Sequence, residues 1–103
     1  MKRLAIILCA LASTPATFAG GDPDIGATIV SACVACHGEG GGKPILNYPI
    51  IAGQHEDYLL RSLIAYQNGS RSNQVMSAQV TALSREDLEN MAAYFAAQPS
   101  PLH

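Results

Sequence analysis

The sequence predicts an all-α fold in one small domain, and three observations carry that expectation. Apolar residues recur at spacings of three and four: Ile25, Ile29, Val30 and Cys33, then Tyr58, Leu59, Leu63 and Tyr66, then Leu88, Met91, Ala92 and Phe95. Such positions share one face of a helix, whereas a half-buried strand buries every second residue. No run of alternating apolar residues is long enough to support a sheet. Glycine and proline clusters separate the periodic segments, as expected for helices joined by loops.

The chain opens with the basic Met1-Lys2-Arg3, continues with an apolar run from Leu4 to Ala12, and passes through small residues to Ala19. The run is shorter than the roughly 20 residues a membrane span needs. It reads as a secretory signal peptide over residues 1–19, cut after Ala19. Cys9 lies inside the apolar run and not after it, which argues against an acylated lipoprotein cysteine. Residues 20–103 then form one domain, of a size that often needs a staple besides its core.

In this domain Asp22 or Asp24 can cap a first helix from about Pro23 to Cys36. Gly38-Glu39-Gly40-Gly41-Gly42 stops it, because a glycine run costs too much backbone entropy to stay helical. Pro44 and Pro49 bias residues 38–53 toward loop. A second helix is expected from about Gln54 to Gln67, with Asn68-Gly69 as its stop. Ser70 to Thr81 has weak periodicity and reads as loop with at most one short helical turn. The last helix runs from Ser84 to Gln98, and the Ser84/Asp87 spacing has the form of a capping box.

The informative motif is Cys33-Val34-Ala35-Cys36-His37. C-x-x-C-H reads as c-type haem attachment: each thiol adds to a haem vinyl group to give a thioether, and the adjacent His reaches the iron. One covalent haem c is therefore expected, with His37 as proximal ligand. For the second axial position, a Met sulfur raises the reduction potential relative to a second His. Met1 leaves with the signal, and Met91 sits on the apolar stripe of the last helix and reads as core. Met76, thirty-nine residues beyond His37 and between two helices, is the expected ligand. His55, at the start of the second helix, and the terminal His103 are weaker competitors. A ligating His usually donates its other ring N–H to a carbonyl or carboxylate. That carbonyl is expected at Pro49, with an ordinary loop proline as the alternative.

Together these residues resemble the class I cytochromes c, in particular the small bacterial type such as cytochrome c-553 and each half of the exported two-haem cytochromes c. The resemblance spans nearly the whole of residues 20–103. It implies three main helices plus loops around one haem, with Cys33 to Gly38 as the attachment segment, Pro49 to Gly53 passing the proximal His, and Met76 as the distal ligand. It also implies that Gly26 lets the first helix approach the Tyr94-Phe95 region of the last one closely. Ile51 stands where the family often has Leu, and Gln74-Val75 precede Met76 where proline is common.

Two filled axial positions leave no site for a substrate, so the pattern suits electron transfer and not catalysis. The expectation is a periplasmic carrier of one electron between redox protein partners. The alternative is a haem subunit of an oxidoreductase, such as a flavocytochrome sulfide dehydrogenase. A gas sensor with a displaceable Met76 and a zinc module are more distant readings; three such close ligands strain a tetrahedral site. Beyond Ala19 only Lys43, Arg61, Arg71 and Arg85 oppose eight acidic residues. This balance weighs against nucleic acid as a partner, and no second apolar span suggests membrane integration. A monomer or weak dimer is expected.

Overall fold

The computed structural model describes residues 20–102. The expected signal peptide over residues 1–19 and the terminal His103 lie outside the described residues. Among these there are helices and no strands: α1 (Pro23–Ala27), α2 (Ser31–His37), a 3-10 turn (Glu39–Gly41), α3 (Glu56–Asn68), α4 (Gln74–Val80) and α5 (Arg85–Ala96).

Asp22 caps α1, accepting from the backbone N–H groups of Asp24 and Ile25, with Pro23 in the first turn. The continuous first helix expected over residues 23–36 is in fact two. Thr28 and Ile29 bond back three residues, to the carbonyls of Ile25 and Gly26 at 3.0 Å each, and the Thr28 hydroxyl also donates to Ile25 O at 2.6 Å. Bonds three residues back tighten and end a helix. The β-branched run Thr28-Ile29-Val30 is poorly suited to continue it. After this corner α2 starts without a side-chain cap and runs through His37.

The helix ends on the other elements follow the local signals. α3 stops at Asn68, with Gly69 left-handed at its C-terminus. The α5 capping box is complete: Ser84 Oγ accepts from Asp87 N at 3.0 Å, and Asp87 Oδ2 accepts from Ser84 N at 3.0 Å. The segment expected as loop over 70–81 instead contains the two-turn α4. Its cap is Asn73, whose side-chain oxygen accepts from Met76 N at 3.0 Å.

α1 and α5 are packed so closely that a side chain at Gly26 has no room. A Cβ there would collide with the Asn90 carbonyl and lie 2.8 Å from Tyr94 Cβ. The close approach thus centres on Asn90 and Tyr94, while Phe95 turns into the core. The Asn90 side chain is buried and accepts from Asp22 N at 2.8 Å, tying the start of α1 to α5. Val30, Leu59, Leu60, Val80, Leu88, Met91, Ala92 and Phe95 form one core cluster, so α2, α3, α4 and α5 meet over a single apolar interior. The loop from 38 to 53 is anchored at intervals, by Ile45 N to Cys36 O (3.0 Å), Ile51 N to Gly41 O (2.9 Å) and Gly53 N to Phe95 O (2.9 Å).

Candidate functional site

The helical spacing of three and four puts Cys33, Cys36 and His37 on one face of α2, and all three line a cavity of about 400 Å³. Gly38 has φ +82°, and a Cβ there would collide with the Lys43 carbonyl. The chain can therefore leave α2 sharply right after His37. The following loop brings Tyr48, Pro49 and Ile51 to the cavity, and Leu59, Leu63, Val80, Met91 and Phe95 contribute apolar lining from the helices.

His37 is buried, at 6% exposure. Its Nδ1 lies 2.7 Å from the Pro49 carbonyl. A carbonyl only accepts, so the proton of the neutral ring sits on Nδ1 and Nε2 keeps its lone pair. Tyr48 meets the imidazole edge-on, 6.2 Å between ring centroids at 63°, which limits rotation of the ring. Both cysteines are free thiols, half-buried. Burial, reinforced by the nearby Cys36, pushes the Cys33 thiol up against the lowering effect of a backbone hydrogen bond. Among the described residues no group of three or more His, Cys, Asp and Glu side chains is arranged to hold a metal ion.

Met76, half-buried on α4, lines the same cavity. The structure therefore brings Cys33, Cys36, His37, Pro49 and Met76 together around one space. Met91 is 3% exposed and belongs to the core, and it also contributes to the lining. His55 stands before the first turn of α3, exposed and away from the cavity lining.

Sequence reasoning missed Arg71. Its guanidinium lies 4.8 Å from the centroid of the Tyr66 ring, and Nη1 donates to Ser62 Oγ at 3.3 Å. All three residues line the cavity. Arg61 and Arg85 pair with Asp57 and Glu89 within their own helices, whereas Arg71 is held by an aromatic face and a hydroxyl. The one available signal was a lone cation in a polar stretch just before Met76.

The donor set fits haem c. Two thiols three residues apart, an imidazole with its lone pair available and a thioether share an apolar cavity of ligand size, and Arg71 adds a cationic point for the carboxylates of a porphyrin.

Residues 22–95 match the family described as Cytochrome C oxidase, cbb3-type, subunit III. The chain is 40% identical over 97 residues to cytochrome c4 of Pseudomonas aeruginosa, covering 94% of this chain and 48% of that protein. It is 37% identical over 81 residues to cytochrome c-554(548) of Halomonas halodenitrificans, covering 76% of this chain and 98% of that one. Among solved structures, reduced recombinant cytochrome c4 from Pseudomonas stutzeri superposes with a TM-score of 0.74 at 39% identity, covering 79% of this chain and 47% of that chain. The chain thus spans about half the length of the cytochromes c4 it matches.

Proposed function

This chain belongs to the class I cytochrome c family, and from that premise we propose that it is a periplasmic electron carrier with His37 and Met76 as the axial ligands of its haem. The observation that carries the reading is the convergence of Cys33, Cys36, His37 and Met76 on one apolar cavity. Bound there through two thioethers, haem c supplies a one-electron couple.

The chain's own part is to attach, orient and exclude water. Cys33 and Cys36 give the covalent links. His37 offers Nε2, with Nδ1 committed to the Pro49 carbonyl. Leu59, Val80, Met91 and Phe95 keep the interior dry, which favours the state of lower net charge. Arg71, steadied by Tyr66 and Ser62, offers an ion-pair partner to the carboxylate edge. At the mouth of the cavity Ile50, Tyr58 and Val75 are exposed at 36%, 45% and 49%. They form the apolar centre of a small surface of the kind used in short-lived redox encounters.

Among the described residues no helix is long and apolar enough to cross a membrane. The basic start and apolar run of residues 1–19, read as a cleaved signal peptide, support the periplasmic assignment. The test is a visible spectrum of protein from cells competent for cytochrome c maturation, before and after dithionite. The expected result is a low-spin spectrum that sharpens on reduction, with haem retained through denaturing extraction. Colourless mature protein refutes the proposal.

A further inference from the structure

The turn that carries Met76 is held from outside the cavity. α4 has only two turns, and a helix this short has little stability of its own. At its start, Asn73 accepts from Met76 N. At its end the restraint comes from α3: Nε2 of Gln67, in the last turn of that helix, donates to the Val80 carbonyl at 2.9 Å and to the Leu83 carbonyl at 2.8 Å. Two carbonyls can only accept, so the amide nitrogen is the atom that faces them, one N–H to each. Val80 ends α4, and Leu83 immediately precedes the Ser84 cap of α5. One exposed amide thus joins three helices.

The leverage of this joint falls on Met76. Val80 follows Met76 by one helical turn, and its side chain is 1% exposed in the core. Fixing the backbone at Val80 therefore fixes how far the preceding turn can move. α3, with thirteen residues, is the stiffer reference to which the two-turn α4 is pinned.

Resting on the reading of Met76 as an iron ligand, we propose that Gln67 is a positioning residue for Met76, whose two amide hydrogen bonds set how readily α4 withdraws the sulfur from the cavity. Gln67 itself is not among the residues that line the cavity. Its effect is on the exchange of Met76 for a competing ligand, in which a nitrogen lone pair replaces the sulfur lone pair with no change in electron count.

The experiment uses matured holoprotein and imidazole as the competitor, following loss of the sulfur-to-iron charge-transfer band of the ferric protein. Gln67→Leu, at an exposed site, should bind imidazole about tenfold more tightly, the factor expected when two side-chain hydrogen bonds are lost. Gln67→Lys keeps a donor for both carbonyls and should return to within about twofold of the parent. Equal affinity in the parent and Gln67→Leu overturns the proposal, even if thermal stability falls. An equal rise in both variants also overturns it, since the donor would then be irrelevant. A band absent from the parent, as from Met76→Ala, overturns the ligand reading and the proposal together. A band present in the parent but indifferent to Gln67→Leu overturns the proposal alone.

Discussion

At position 26 one methyl group is too many. Gly26→Ala forces Cβ into the Asn90 carbonyl, and neither backbone can yield without opening the α1–α5 contact. The expected cost is about 1–3 kcal/mol, measured as a lower thermal midpoint of the holoprotein with an unchanged visible spectrum. The two cavity methionines separate by another substitution. Met91→Leu conserves volume and should cost less than about 1.5 kcal/mol while leaving the sulfur-to-iron band intact. Met76→Ala should keep covalent haem, lose that band and lower the reduction potential, as spectroscopy and potentiometry of the pair can check. At this scale the convergence of Cys33, Cys36 and His37 on one cavity was readable because their spacing puts them on one helical face. Arg71 was not, since its role depends on Tyr66 and Ser62 from the preceding helix, a tertiary arrangement no local pattern announces.

Helix boundaries were legible at Asp22, Gly69 and Ser84, where a capping residue or a stop glycine marks them, and hidden at the α1–α2 corner and around α4. Ser84 and Asp87 announced α5, and both reciprocal bonds are present. The break between α1 and α2 was not legible, because Ile25, Ile29, Val30 and Cys33 keep helical spacing across a corner made by bonds three residues back. α4 was obscured by its length: seven residues hold too few apolar positions to show a period. Two substitutions test the caps. Ser84→Ala should destabilise the whole domain by about 1 kcal/mol, seen in chemical denaturation, because α5 packs against both α1 and α3. Asn73→Ala removes a comparable bond from α4, so its effect should appear first as easier displacement of Met76 by imidazole and only weakly in global unfolding.

For the molecule as a whole, the all-α class and the helix order followed from periodicity, while the centre of the fold did not. A cavity of about 400 Å³ lies where a domain of this size needs its densest packing. Leu59, Leu63, Val80, Met91 and Phe95 form walls more than a filled interior. The chain without its cofactor should therefore lack cooperative unfolding, because the apolar area it buries is too small to offset chain entropy. Protein made in cells unable to mature c-type cytochromes should show weak near-ultraviolet dichroism and a broad, shallow urea transition. Matured protein should unfold in one sharp step.

The bond from His37 to residue 49 has one further consequence. Its acceptor is a main-chain oxygen, so no exchange of side chain at position 49 deletes it, and even alanine there would keep the partner in kind. The acceptor that orients the imidazole is thus insulated from side-chain exchange at position 49. Substitutions that shift the redox midpoint are therefore expected at side chains instead: Met76, the short helix that carries it, the apolar lining and the guanidinium of Arg71.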